Sequence, residues 1–287
     1  MEIKIANNAG FCFGVMRALE KIEELKKNLR FPIYTFGPII HNPQVVEKLR
    51  SEGVIPVEEL QNIKEKGYLV IRSHGVDKEV IKKAERLHFK VVDATCPYVK
   101  RVQEIALRLV REGYKVIVLG DENHPEVQGI LQFTEGKAEI FKEGMELGTI
   151  GKIGIVAQTT QSMDNLLKAV TYLLPLSAEL RVFNTICNAT TLRQTSARQL
   201  AKEVDVMIVV GGKNSANTTR LALISKELCP NVYHIETEDE IKPEWFTGVK
   251  KVGITAGAST PDWIIQNVYK KIKEIGEVID EKREFSN

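Results

Sequence analysis

Three cysteines, Cys12, Cys96 and Cys187, stand at nearly the same phase of a repeated pattern. Each follows an apolar strand-like run, in EIKIANNAGFC, FKVVDATC and LRVFNTIC, and each precedes a helical pattern. Gly37, Gly120 and Gly211 follow them by 25, 24 and 24 residues, and His41, His124 and Ser215 by 29, 28 and 28. A thiol at a strand-to-helix turn lies near the positive end of a helix dipole. That position favours the thiolate, the form that binds metal or attacks an electrophile. Three thiolates with no fourth cysteine at matching spacing suit a metal centre with one open position, the arrangement of a catalytic site. Zinc and an iron-sulfur cluster both fit soft thiolates, and a four-iron cluster held at three corners leaves one iron for substrate. The alternative is three buried cysteines in phase by coincidence, which the spacings weaken. Cys229, in SKELCPN, falls outside the repeat and reads as packing.

A second set of polar residues occupies the loops between strand ends and helix starts. His41, His74 and His124 lie there in HNPQV, RSHGV and NHPEV, and Thr159, Ser215, Asn217 and Ser259 occupy the equivalent loops. Imidazole, hydroxyl and amide donors at helix N-termini suit a phosphate or diphosphate. No Walker loop and no GxGxxG fingerprint is present, so ordinary nucleotide binding has little support. Glu126, two residues after His124, is the one carboxylate of this ring. Beside a bound phosphate it holds its proton and becomes a proton source; otherwise it complements the helix dipole. Asp93 and Asp121 read as capping residues, and His88 and His234 as ordinary surface or core histidines.

Positioning these groups requires a repeated scaffold. Runs rich in Val and Ile (YLVIR, FKVVDA, YKVIVLG, KIGIVAQ, VDVMIVVG, KVGITAG) alternate with helical patterns such as VQEIALRLVREG, which predicts an α/β protein with mostly parallel sheets. Three similar α/β lobes follow, over 13–95, 96–186 and 187–287, with soft boundaries. Each cysteine strand closes the preceding lobe, so the N-terminal strand within 1–12 is expected to complete the sheet of the last one. If the lobes pack with pseudo-threefold symmetry, the three thiols meet on the axis.

The bulk properties narrow the partners. The 287 residues are 43% apolar and 27% charged, with a net charge of +2 and no long basic tract, which argues against binding nucleic acid or an anionic membrane. The N-terminus is too polar for a signal peptide and no run is long enough to span a membrane, so a cytoplasmic location is expected. Widely separated cysteines argue against a disulfide framework.

The strings AGFCFGV, GPIIHNPQVV, IRSHGV, DATCPYVK, NHPEV, AQTTQ, ICNATTLRQ, GGKNSANT and TAGASTPD, in this order, closely resemble the IspH/LytB family of 4-hydroxy-3-methylbut-2-enyl diphosphate reductases, which act last in the non-mevalonate isoprenoid route. The resemblance implies three lobes around one central 4Fe-4S cluster per chain, held at Cys12, Cys96 and Cys187. It implies a substrate diphosphate bound by His41, His74, His124, Thr159, Ser215, Asn217 and Ser259, with Glu126 delivering the proton. It also implies an allylic diphosphate as substrate, isopentenyl and dimethylallyl diphosphates as products, and ferredoxin or flavodoxin as electron donor. Ala216 stands where many members carry a second serine, which removes one hydroxyl donor. Two rivals remain: an iron-sulfur hydro-lyase, which needs no reductant, and a cluster-based redox sensor, in which the polar ring has no purpose.

Overall fold

The structure is a computed structural model and describes residues 1–27, 31–148 and 150–284. β1 (Glu2–Ile5) opens the chain. A first run follows: α1 (Phe13–Lys26), β2 (Ile33–Phe36), α2 (Pro43–Ser51), β3 (Val54–Val57), β4 (Tyr68–Ile71), α3 (Lys78–Arg86) and β5 (Lys90–Asp93). The second is α4 (Pro97–Arg111), β6 (Lys115–Leu119), α5 (Pro125–Phe133), β7 (Ala138–Ile140), β8 (Ile150–Ala157), α6 (Met163–Leu173) and β9 (Ser177–Phe183). The third is α7 (Asn188–Ala201), β10 (Val206–Val210), α8 (Ala216–Lys226), β11 (Asn231–Ile235), β12 (Lys251–Ala256) and α9 (Asp262–Glu284). The third run lacks the closing strand of the other two. β1 takes that place, pairing in parallel with β12 from Glu2 against Lys251 to Ile5 against Ile254.

Among the described residues the strands form three four-stranded parallel sheets, ordered β3-β2-β4-β5, β7-β6-β8-β9 and β11-β10-β12-β1. The chain is therefore α/β. In each sheet the strand leading to a cysteine lies at the edge, and the strand after the cysteine's helix lies inside. No helix among the described residues is long and apolar enough to cross a membrane.

Two compact units result: Met1–Cys12 with His41–Pro43 and Asn188–Asn287, and Phe13–Ile40 with Gln44–Cys187. In the first, every residue of β10 is buried because both faces of the sheet are covered. Val206, Ile208 and Val210 pack with Ile264, Val268 and Ile272 of α9, while Met207 and Val209 pack with Leu200 of α7 and Leu221 of α8. The second unit uses the same device on β6, where Val116 and Val118 face α4 and α5, and Ile117 and Leu119 face α6.

α4 shows why such helices form where they do. Pro97 presets its first turn, and Val99, Val102, Ile105, Ala106 and Leu109 recur at helical spacing on its buried face. It stops at Glu112, after which Gly113 takes the left-handed conformation (φ 81°) that L side chains resist. Close packing on β8 depends on Gly154, where a Cβ would lie 2.9 Å from a Leu109 methyl.

Candidate functional site

Cys12, Cys96 and Cys187 each immediately precede a helix, α1, α4 and α7, and all three are half-buried and outside any disulfide. The first turns of these helices contain no acidic residue, so nothing on the helix cancels the partial positive charge of its unpaired N–H groups. One backbone bond fixes each cysteine: the N–H of Cys12 donates to the Ala258 carbonyl (3.0 Å), that of Cys96 to Ser73 (2.9 Å) and that of Cys187 to Thr159 (3.1 Å). These acceptors are the second residues of three matching turns, closed by Gly75 N–H to Arg72 (3.0 Å), Gln161 to Gln158 (3.0 Å) and Thr260 to Gly257 (3.1 Å). The repeated cysteine spacing is thus a repeated backbone geometry. Within it His74 and Ser259 are third residues, whereas Thr159 is a second residue and Thr160 holds the third place.

Two arginines with no local sequence signal brace the segments that lead into Cys96 and Cys12. Arg17 of α1 donates from Nη1 to the carbonyl of Thr95 (3.1 Å), the residue before Cys96. Arg193 of α7, 4% exposed, donates from Nη2 to the Gly10 carbonyl (2.6 Å) and from Nη1 to Ala189 (3.0 Å). Gly10 has φ 99° and stands two residues before Cys12.

The capping expectations need correction. Asp93 accepts from the Thr95 N–H (2.9 Å) and pairs with Lys100, but the N-cap of α4 is Cys96 itself. Burial pushes the Asp93 carboxyl up, and its bonds to Lys100 and Thr95 more than offset this, leaving it below its ordinary range. Asp121 does not cap α5. His124 does, its Nδ1 accepting from the Glu126 N–H at 3.2 Å, which leaves Nε2 as the ring's donor. The His74 ring meets the His124 ring edge to face, with centroids 5.4 Å apart.

Glu126 follows on the first turn of α5 and is 1% exposed. Its Oε1 accepts from the Thr159 N–H and its Oε2 from the Thr159 hydroxyl, both at 2.7 Å. Burial raises its pKa to about 7; the Thr159 bonds pull it down and Asp121 adds a smaller upward push. A carboxyl with that value divides between acid and base near neutral pH, as a proton donor for catalysis must. Thr159 is therefore committed to Glu126.

The other compact unit gathers Cys12, His41, Ser215, Asn217 and Ser259. Ser215 caps α8, its Oγ accepting from the Thr218 N–H at 3.4 Å, which leaves its own hydroxyl hydrogen to give. Ser259 donates to the His41 carbonyl (2.9 Å). Asn42, not His41, stands directly before α2, so the first loop carries one residue more than its counterparts. Asn217 is 4% exposed, and neither its amide oxygen nor its amide nitrogen finds a partner among the described residues. A buried amide in that state fits a ligand with both donors and acceptors. His234 is more than packing: its Nε2 lies 2.9 Å from the Gly211 carbonyl, fixing the start of the Ser215 loop. Gly257 lets that loop close, since a Cβ there would lie 2.0 Å from the Thr218 hydroxyl.

The donor set is of the kind an iron-sulfur cluster takes: three half-buried cysteine sulfurs, none in a disulfide, each beside an acid-free helix N-terminus. Cys229 is different in kind. It is 1% exposed, its Sγ lies among the carbonyls of Val204, Asp205 and Asn231, and burial pushes its thiol up.

A sequence profile described as LytB protein matches residues 3–273. The chain belongs to the LytB family. Among its LytB relatives, the 4-hydroxy-3-methylbut-2-enyl diphosphate reductase of Aquifex aeolicus (strain VF5) is 51% identical over 96% of this chain and 98% of its own length. The reductase of Geobacter sp. (strain M21) is 50% identical over the same shares of both chains. A solved structure of (E)-4-hydroxy-3-methyl-but-2-enyl diphosphate reductase, described as the terminal enzyme of the non-mevalonate pathway, superposes with a TM-score of 0.70 at 50% identity, covering 96% of this chain and 100% of that one. The diphosphate reductase of Plasmodium falciparum gives 0.87 at 30% identity, covering 95% and 87%. LytB membership makes the chain an oxidoreductase of this reductase family.

Proposed function

We propose that this chain reduces (E)-4-hydroxy-3-methylbut-2-enyl diphosphate to isopentenyl and dimethylallyl diphosphates in the non-mevalonate isoprenoid route. The observation that carries the reading is 51% identity to a reductase of that name across 96% of the chain. Cys12, Cys96 and Cys187 would hold one 4Fe-4S cluster, with ferredoxin or flavodoxin as the outside reductant. When bound, the cluster supplies electrons one at a time and an open iron that acts as Lewis acid on the substrate hydroxyl.

The chain's own residues bind, orient and protonate. His41, His74, His124 and Ser215 offer ring N–H and hydroxyl donors to the diphosphate, and the acid-free N-termini of α2 and α8 add backbone N–H groups. Ser259 joins them once its hydroxyl turns from the His41 carbonyl. Asn217 gives an N–H to phosphate oxygen and accepts from a substrate hydroxyl. Glu126 gives its proton through the Thr159 hydroxyl, once that hydroxyl turns its own hydrogen from Oε2 toward substrate and accepts from the protonated carboxyl instead. The balance is simple: the allylic C–O bond breaks, the hydroxyl leaves as water with one proton, and the carbon fragment takes two electrons and a second proton. That proton can add at either end of the allyl unit, which accounts for two products.

An anaerobic assay with chemically reduced viologen tests this, with products separated by chromatography. Both C5 diphosphates should form, and only when reductant is present; turnover without reductant would mark a hydro-lyase instead. Asn217→Ala provides a second check. Each buried unpaired amide group costs roughly 1–3 kcal/mol, so the ligand-free variant should withstand urea as well as the parent does. Its KM should rise about tenfold or more, because hydrogen bonds to charged groups are worth ~1.5–3 kcal/mol. An unchanged KM together with lower stability would make Asn217 a structural residue.

A further inference from the structure

We propose that the first turns of α1 and α4 form the docking surface for a small, acidic, one-electron carrier protein; the inference rests on the reductase reading above. Phe13, Met16 and Tyr98 are 57%, 45% and 42% exposed, large apolar side chains on the turns that follow Cys12 and Cys96. Phe13 and Met16 share a face of α1, being three residues apart. Arg17, the next residue, bonds to the Thr95 carbonyl at 3.1 Å, which holds the start of α1 against the residue before Cys96. Tyr98 comes two residues after that cysteine.

The rim of this patch is positive. Arg17 follows Met16 on α1, and Lys100 and Arg101 follow Tyr98 on α4; Asp93 pairs with Lys100, and Glu104 comes one turn later, so three basic residues stand against two acids along these turns. Neither helix has an acidic residue in its first turn, so both dipole ends add to the positive field. The acidic residues of α1 begin only at Glu20. A partner that covers the patch must therefore bring negative charge around an apolar centre.

The reaction chemistry says what that partner carries. Each turnover consumes two electrons, and the sequence has no glycine-rich dinucleotide fingerprint through which a nicotinamide would supply them as hydride. Two reduced carriers each give up one electron per turnover and leave oxidised, while the substrate C–O bond is broken and water departs. Electron tunnelling falls steeply with distance, so a carrier must seat close to the thiolates, and the turns beside Cys12 and Cys96 are where exposed apolar side chains let it do so. Short-lived redox encounters of this kind bury less than about 1,200 Å², a size that a few side chains on two helix turns can anchor.

Met16→Glu and Arg101→Glu test the surface, since both positions are exposed. The full chain, loaded with its cluster, is titrated calorimetrically with an acidic ferredoxin at low ionic strength, and turnover is followed with reduced ferredoxin and, separately, with reduced viologen. Each variant should raise the Kd for ferredoxin, and the KM for it, at least about tenfold, and added salt should weaken parental binding. Viologen-driven turnover should stay at the parental rate. Parental ferredoxin affinity in both variants overturns the surface, as does an equal loss of viologen-driven turnover. A parent chain that fails with viologen sinks the reductase reading, while the calorimetric comparison still decides the surface.

Discussion

Glu126→Gln is expected to lower kcat by about 10²–10⁴-fold, the usual loss when a positioned general acid is removed, while substrate still binds. The amide is nearly isosteric, its oxygen accepting from the Thr159 N–H and its NH2 donating to the Thr159 hydroxyl, so geometry survives and the ionisable proton does not. Stopped-time assays and a binding titration separate the two effects. In the parent chain, kcat should fall as pH rises through about 7, where the carboxyl loses its proton. The variant should lack that limb. Turnover within about threefold of the parent, far short of the loss of a general acid, would place the proton path elsewhere.

The same group makes a prediction about folding. Its folded pKa of about 7 lies above the ordinary 4.5, so the stability linked to its proton is fully present below 4.5 and is lost as pH rises through about 7. Over that window the parent chain should lose roughly 3 kcal/mol relative to Glu126→Gln. Urea unfolding at the two ends of the window measures this. The variant should be the more stable protein above neutrality, where the parent buries a charge that the amide lacks.

The second large effect concerns the thiols. Cys12→Ala, Cys96→Ala and Cys187→Ala should each strip iron and acid-labile sulfide from the anaerobically purified chain and lower turnover at least about a hundredfold, given that loss of groups that merely support metal ligands costs 10–100-fold. Cys229→Ala should keep its iron. That sulfur is packed beside the carbonyls of Val204, Asp205 and Asn231, past the C-terminal end of α8. Colorimetric iron and sulfide analysis decides between the cysteines without reference to activity, and a Cys229 variant that also lost iron would contradict the assignment of ligands.

Much of this architecture was legible along the chain because the relevant physics is local. Strands buried on both faces need unbroken apolar runs, and VDVMIVV and YKVIVLG are such runs, now β10 and β6. A helix that begins after a cysteine advertises itself by Pro97 or by apolar residues at helical spacing. What stayed hidden depends on distant partners. Arg17 reaches a carbonyl 78 residues away and Arg193 one 183 residues away, and a backbone carbonyl leaves no mark in sequence. Thr159 resembled one more loop hydroxyl until its N–H and O–H were both found on Glu126, 33 residues earlier. In DENHPEV the residue type pointed to Asp121 as the cap. Backbone dihedrals chose His124, which precedes Pro125 in an extended conformation with φ −75° and ψ 134°.

The most direct test of the whole scheme is optical. The chain is purified without oxygen, its iron and sulfide are counted, and its visible spectrum is followed as the allylic alcohol diphosphate is added. Four irons and four sulfides per chain, with an absorption band that shifts and saturates on titration, is the expected result. A metal-free chain, or a cluster whose spectrum ignores the substrate, contradicts it.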